Sequence, residues 1–165
     1  MSHDKKFIEF NSKKLTEEDV KYQFITPAIE HAGWQKNQLR LEYAFTDGKM
    51  HIKGNKGYRG KQKRADYLLL YKPNIPIAIV EAKDMNHAFD DGIQQALGYA
   101  RTLDIPFAYS SNGKSFMEHN KLTGEVKELA MSEFPSPEDL WQKYTNSKNI
   151  TPEEEDIITE PDHFD

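Results

Sequence analysis

Residues 65–83 read ADYLLLYKPNIPIAIVEAK, and this stretch decides the fold. Two β-rich runs, 65–71 and 75–82, stand on either side of a short segment that contains Pro73 and Asn74. Runs of this length and composition around a proline-bounded turn are typical of a β-hairpin. The stretch therefore predicts two neighbouring antiparallel strands at the centre of the domain.

The charged residues of this hairpin fall at its open end. If the turn centres on Asn74, Asp66 lies opposite Ala82, and a shift of one residue places it beside Glu81 or Lys83. Because alternate residues of a strand share a face, Glu81 and Lys83 point the same way. The sequence thus predicts two carboxylates and one ammonium at one end of a sheet.

Spacing alone leaves two interpretations of this cluster open. Ionisable groups on apolar strands are costly unless they are compensated, so Lys83 between Asp66 and Glu81 could form a structural ion pair. Alternatively, Asp66, Glu81 and the carbonyl of Ala82 could hold Mg²⁺, which takes oxygen ligands octahedrally. In that case we expect the metal to polarise a phosphate and activate a water. Lys83 would orient that water and stabilise the pentavalent transition state.

The rest of the pattern predicts an α/β domain with a mixed central sheet. Thr16 can cap a helix that runs to about Ala32, with a kink at Pro27 and a stop at Gly33. Ser136 followed by Pro137 is a second helix start. We expect strands at 39–45, 50–52, 65–71, 75–82, 106–110, 115–119 and 126–129, and further helices at 87–103 and 137–144.

Three positions on these helices allow both a functional and an ordinary interpretation. Glu17 falls on the apolar stripe of the first helix, so it is either a rim residue or a third acid that faces the site. Gln95 and Tyr99 lie four residues apart on one flank of the helix at 87–103, with Gly92 on the same flank. They are either a solvated neighbour and a half-buried core edge, or a DNA contact. A glycine within a helix costs about 1 kcal/mol relative to alanine, which favours a close approach of another backbone or of DNA there.

A basic segment precedes the hairpin. Charge runs are usually solvated loops, but a basic loop beside a metal site can also clamp a phosphate backbone. Between Asp47 and Asp66 the chain has no acidic residue and carries Lys49, Lys53, Lys56, Arg59, Lys61, Lys63 and Arg64.

Composition places limits on the class of protein. The chain has 165 residues, 37% hydrophobic and 30% charged, which suits one compact domain. It has no cysteine, which excludes disulfides and thiolate sites. No apolar run approaches the roughly 18 residues of a membrane span, and a cytoplasmic protein is expected. Residues 150–165 are acidic and are expected to be a linker or disordered, which leaves 1–149 as the domain.

Asp66, Glu81-Ala82-Lys83 and Gln95-x-x-x-Tyr99 together resemble the PD-(D/E)xK nuclease pattern, with Ala65 in place of the proline. Longer motifs are similar to the N-terminal region of the R subunit of type I restriction–modification enzymes. This likeness covers roughly residues 16–145 and includes TEEDVKYQFITPAIEHAGW, GKQKRADYLLLYKP, PIAIVEAK, QQALGYA, PFAYSSNG and FPSPEDLWQKY.

The resemblance implies a PD-(D/E)xK restriction-endonuclease-like fold and Mg²⁺-dependent cleavage of double-stranded DNA, with Mn²⁺ as a substitute. It implies Asp66, Glu81 and Lys83 as catalytic residues, Glu17 as a further metal ligand, and Gln95 and Tyr99 as residues that position DNA. It also implies modification and specificity subunits as partners, and an ATP-hydrolysing motor further along the chain, toward which residues 150–165 would lead. Two alternatives stay open, a non-cleaving DNA-binding module of the same fold and a stand-alone Mrr-like or repair nuclease.

Overall fold

A computed structural model describes residues 15–46, 61–88 and 91–159. The strands in these ranges form one six-stranded mixed sheet whose members lie side by side in chain order. They are β1 (Leu39–Phe45), β2 (Lys63–Leu70), β3 (Pro76–Ala82), β4 (Phe107–Ser111), β5 (Ser115–Asn120) and β6 (Val126–Ala130). The α-helices are α1 (Glu17–Val20), α2 (Thr26–His31), α3 (Ile93–Leu103), α4 (Pro137–Lys148) and α5 (Pro152–Thr159).

The sheet is antiparallel except at its centre. β1, β2 and β3 pair antiparallel, as do β4, β5 and β6. β3 and β4 pair in parallel, and α3 crosses over between them. Parallel neighbours need such a crossover because both strands run in the same direction. The predicted mixed central sheet is therefore present.

The central hairpin is confirmed, but its register differs by one residue from the prediction. Val80 lies opposite Tyr67, and the pairing shifts between Leu69 and Leu70 just before the turn. Tyr71 and Ile75 bond across the turn, so the turn centres on Pro73 rather than on Asn74. The irregularity adds one residue, Ile77, to β3, and the register that follows places Asp66 beside Glu81 rather than opposite Ala82. This is the one-residue shift that the sequence left open.

The N-terminal helix is made of three segments in sequence. Thr16 caps α1 through a capping box with Asp19, as predicted. A π-helical segment (Lys21–Ile25) then joins α1 to α2, and the N–H of Thr26 bonds the carbonyl of Lys21. Pro27 lacks an N–H and cannot continue the normal α-helical hydrogen bonding. Instead of a simple kink at Pro27, the helix therefore has a wider, π-helical turn just before this residue.

Helices cover both faces of the sheet. On one face the N-terminal helix and α4 pack over Tyr67, Val80 and Tyr109. On the other face α3 packs over Leu68 and Ile79. As predicted, α3 uses one apolar stripe for this contact, formed by the buried residues Ile93, Ala96, Leu97 and Ala100.

The structure differs from two further predictions, and a third falls outside the described residues. α3 begins at Ile93 with Gly92 as its N-cap, so the argument from a glycine within the helix is wrong. α5 occupies 152–159, and Ile158 packs against the core, so the expected disorder is wrong for that segment. The predicted strand at 50–52 and the basic residues from Lys49 to Arg59 lie outside the described residues.

In the parts of the chain described here, every helix is too short or too polar to cross a membrane.

Candidate active site

At the open end of the hairpin, the side chains of Asp66 and Glu81 each accept a hydrogen bond from the backbone of the opposite strand. The backbone N–H of Asp66 donates to Oε2 of Glu81 at 2.8 Å. The backbone N–H of Ala82 donates to Oδ2 of Asp66, also at 2.8 Å. Each carboxylate therefore takes the place of a carbonyl acceptor and satisfies a backbone donor of the opposite strand. These two bonds fix the positions of both acids.

Burial and mutual repulsion act on the two acids. Glu81 is only 4% exposed. Burial, followed by the charge of Asp66, raises the pKa of Glu81 to about 8. Burial also raises the pKa of Asp66, although the hydrogen bond from Ala82 and the charge of Lys21 oppose this. Adjacent buried carboxylates resist full ionisation unless a cation joins them.

Lys83 follows β3 directly and lies against the start of α3. Its backbone N–H donates to the carbonyl of Ser111 at 2.8 Å. A Cβ on Gly92 would stand 3.4 Å from both Cγ and Cε of Lys83, and 3.1 Å from Cβ of Ser110. The charge of Lys83 favours the ionised form of Glu81. Gly92 thus packs against the side chains of Ser110 and Lys83, not against another backbone as the sequence argument expected.

Lys21, which sequence reasoning did not select, is the ion-pair partner of Asp66. Its Nζ lies 3.6 Å from Oδ1 of Asp66, 2.8 Å from Glu42 and 3.1 Å from Glu18. The side chain is 8% exposed. Burial lowers the pKa of Lys21, but its hydrogen bonds to Glu42 and Glu18 more than offset this and the net shift is upward. Lys21 lies in the π-helical segment, for which the sequence carries no clear signal.

Glu42 is the second residue that sequence reasoning missed. Its neighbours Leu41 and Tyr43 pair with Tyr67 and Ala65, so Glu42 lies across from Asp66. Its φ of 52° is left-handed, which is uncommon for a residue with a side chain and strained within a strand. The hydrogen bond from Lys21 lowers the pKa of Glu42.

The donor set at the hairpin fits a hard divalent cation. Two carboxylates and one backbone carbonyl, that of Ala82, are a common protein share for Mg²⁺, with water and phosphate oxygens as the other ligands. In the described ranges, no three His, Cys, Asp or Glu residues gather as a metal-binding group. Glu17 is exposed and only adds to the upward pKa shift of Asp66 through its charge. Its role as a further ligand stays a prediction.

The structure joins Gln95 and Tyr99 on α3. Nε2 of Gln95 donates to the hydroxyl of Tyr99 at 2.6 Å. The Tyr99 ring packs edge-on against Phe45 at the end of β1, with 5.1 Å between ring centroids. Tyr99 is thus a half-buried core edge, as the ordinary interpretation expected, while its hydroxyl and Gln95 form one polar unit. Their contact with DNA stays a prediction.

The described basic residues of the predicted clamp lie at the start of β2. Lys63 and Arg64 pair with Phe45 and Ala44 of β1. Lys61 and Arg64 are exposed and Lys63 is half-buried. The charge of Arg64 contributes to the lowered pKa of Glu42. These cations therefore lie on the hairpin that carries Asp66.

The mixed sheet with helices on both faces is consistent with a restriction-endonuclease-like fold, as predicted. The family model described as "Type I restriction enzyme R protein N terminus" matches residues 16–135. Since this match covers most of the chain, the protein belongs to that family, which the sequence resemblance predicted.

Two relatives agree with this assignment. The chain is 38% identical over 162 residues to the type I restriction enzyme EcoAI endonuclease subunit of Escherichia coli, which covers 95% of this chain and 20% of the relative. It is also 42% identical to a fragment assigned to the HsdR subunit of a type I restriction enzyme from Vibrio vulnificus YJ016. That structural match has a TM-score of 0.77 and covers 89% of this chain and 28% of the other. The chain spans about a fifth of the length of the curated relative.

Proposed function

We propose that this region is the nuclease part of a type I restriction enzyme R subunit and cleaves phosphodiester bonds of double-stranded DNA with Mg²⁺. The observation that carries the proposal is the placement of Asp66 and Glu81. The buried acid Glu81 and the partly buried acid Asp66 are held together by backbone N–H groups, and Lys83 follows directly. Such an arrangement on an apolar hairpin is costly, and a divalent cation bound by the two acids would offset that cost.

Asp66, Glu81 and the carbonyl of Ala82 would hold the metal. When bound, Mg²⁺ supplies charge neutralisation at the phosphate and a lowered pKa of a bound water, and Mn²⁺ can replace it. The backbone N–H groups of Asp66 and Ala82 keep the two carboxylates fixed, so that little reorganisation is needed on binding.

Lys83 would act at the reacting phosphate. An ammonium group is not a metal ligand, so its positive charge is available to the phosphate. Gly92 at the start of α3 packs against the carbon chain of Lys83. We expect it to orient the attacking water and to stabilise the additional negative charge of the pentavalent phosphorus. Lys83 lies at the same end of the hairpin as Asp66 and Glu81. One site can therefore combine the metal ligands with the catalytic lysine.

DNA would lie across the open end of the hairpin. Lys61, Lys63 and Arg64 would contact the phosphate backbone without reading sequence. Gln95 and Tyr99 would position the strand near Lys83, as the resemblance implies. In the whole subunit, a motor would hydrolyse ATP and the modification and specificity subunits would complete the complex.

The test uses the whole R subunit assembled with its partner subunits, ATP and plasmid DNA. We expect Asp66→Ala and Lys83→Ala to abolish cleavage while ATP hydrolysis continues. Glu128→Ala and Lys143→Ala are charge-matched controls at exposed positions of β6 and α4, and they should cut like wild type. Normal cleavage by Asp66→Ala would favour a non-cleaving DNA-binding module instead.

A further inference from the structure

Lys21 stands where a cation that bound Asp66 would have to approach. Oδ2 of Asp66 accepts the backbone N–H of Ala82. The other oxygen, Oδ1, faces the Lys21 ammonium at 3.6 Å. A metal ion and Lys21 therefore compete for the same carboxylate oxygen. The ammonium also repels any divalent cation that binds within a few ångströms of it.

The position of Lys21 is fixed by its surroundings. Its carbonyl accepts the N–H of Thr26 within the π-helical segment and the hydroxyl of Tyr67 at 3.3 Å. Its Nζ lies over the Tyr67 ring, 5.8 Å from the centroid. Tyr67 is itself buried in β2, next to Asp66. Lys21 is thus held beside the acid by its backbone and by its side chain.

Glu42 decides how closely Lys21 approaches Asp66. Lys21 lies 2.8 Å from Oε2 of Glu42 but 3.6 Å from Oδ1 of Asp66, so the shorter contact is with Glu42. The strained φ of Glu42 occurs at the strand position across from Asp66. A strained backbone persists only where the surrounding contacts hold it, which the bond to Lys21 does here.

We propose that Lys21 is a positioning residue that holds Asp66 before a divalent cation arrives and thereby weakens binding of that cation. Glu42 limits this competition because it draws the Lys21 ammonium away from Asp66. The inference rests on the proposed metal site at Asp66 and Glu81. It adds that Lys21 of the N-terminal helix and Glu42 of β1 set the affinity of that site for the cation.

The test is a calorimetric titration of Mn²⁺ into this 165-residue chain. We expect Lys21→Met to strengthen Mn²⁺ binding by roughly tenfold, since an adjacent like charge is removed. Lys21→Arg, which keeps the charge, should bind as wild type does. Glu42→Gln should weaken binding, because Lys21 then loses its shorter ion pair, keeps only Glu18 at 3.1 Å, and is drawn more strongly to Asp66. Circular dichroism and thermal melts establish that each variant is folded.

The double variant Lys21→Met with Glu42→Gln separates two roles of Glu42. If Glu42 acts through Lys21, its substitution changes Mn²⁺ affinity much less once Lys21 is absent. An equal loss in both backgrounds would overturn this role and make Glu42 a direct partner of the cation. Should Lys21→Met not fold, Lys21→Gln replaces it in the same comparison.

The titrations distinguish an error about the role of Lys21 from an error about the metal site itself. If wild type binds Mn²⁺, Asp66→Ala does not, and Lys21→Met binds no more tightly than wild type, the role of Lys21 is overturned and the site stands. If neither wild type nor any variant binds Mn²⁺, the metal site is overturned and the inference falls with it.

Discussion

Oε2 of Glu81 accepts the backbone N–H of Asp66 at 2.8 Å, so the two acids of the hairpin are locked together before any ligand binds. In most strand pairs a carbonyl would fill this place. Here the Glu81 carboxylate is the acceptor instead, so the two acidic side chains lie next to each other at one end of the hairpin. This geometry is the basis of the proposed metal site and of the predictions that follow.

The pH dependence of stability should report on Glu81. Its pKa is raised by burial to about 8 in the folded state, above the ordinary value of 4.5. Between these pH values the folded protein holds a proton that the unfolded chain has lost, so stability falls as pH rises through this window. The change should be on the order of a few kcal/mol without metal.

Urea unfolding at pH 5 and pH 8.5 in the presence of a chelator would measure this change. Glu81→Gln is the informative variant, because its side-chain oxygen can still accept the N–H of Asp66. We expect the loss of stability on going to pH 8.5 to be clearly smaller in Glu81→Gln than in wild type. Equal losses in the two proteins would contradict the buried, proton-retaining state of Glu81.

Gly92→Ala should disturb the packing of α3 against Ser110 and Lys83. The new methyl group would lie 3.1 Å from Cβ of Ser110, which is tighter than ordinary contact, and 3.4 Å from Cγ and Cε of Lys83, so Ser110 or α3 must shift beside the lysine stem. We expect cleavage by the assembled enzyme to fall by roughly tenfold, with stability changed by no more than about 1 kcal/mol. Gly98→Ala is the matched control on the same helix, since nothing lies within 4 Å of its added methyl. Equal cleavage by the two variants would count against this position of Lys83.

Tyr99→Phe should separate the two contacts of that side chain. The ring would still pack against Phe45, but the hydrogen bond from Gln95 at 2.6 Å would be lost. We expect an unchanged melting temperature and weaker DNA binding, measured by fluorescence anisotropy with a labelled duplex. Tyr144→Phe on α4 should leave both unchanged. Unaltered DNA binding by Tyr99→Phe would leave Tyr99 with a packing role alone.

Lys61 and Arg64 should contribute to DNA binding through charge alone. Replacing both by glutamine should weaken binding to duplexes of any sequence. It should also reduce the slope of log affinity against log salt by about 0.9 for each lost phosphate contact. A salt titration of the variant and of a Lys143→Gln control would measure this. An unchanged slope would exclude these two residues from the phosphate contacts.

Local sequence signals predicted most of the fold. Thr16 and Ser136 cap their helices, β1 occupies residues 39–45, and the hairpin 65–83 forms as its composition indicates. These features depend on neighbours close in the chain, which a sequence displays directly. The hairpin also brings Asp66 and Glu81 together, so the centre of the candidate site was predictable.

Other features depend on contacts that no local pattern reveals. The register shift between Leu69 and Leu70 is an irregularity without a composition signal. The π-helical segment changes which side chains of the first helix meet the sheet, so Lys21 rather than Lys83 pairs with Asp66. The left-handed φ of Glu42 occurs at a residue type that rarely adopts it. The helix at 152–159 gains packing from Ile158 that an acidic composition does not suggest.

The central claim is that Asp66 and Glu81 bind a divalent cation. The most direct measurement is calorimetric titration of Mn²⁺ at pH 7 into wild type and Asp66→Ala, in two buffers of different ionisation enthalpy. We predict binding to wild type only, with release of a proton, because Glu81 with its pKa raised to about 8 must ionise to bind the metal. Identical titrations of the two proteins would contradict a metal site at this hairpin.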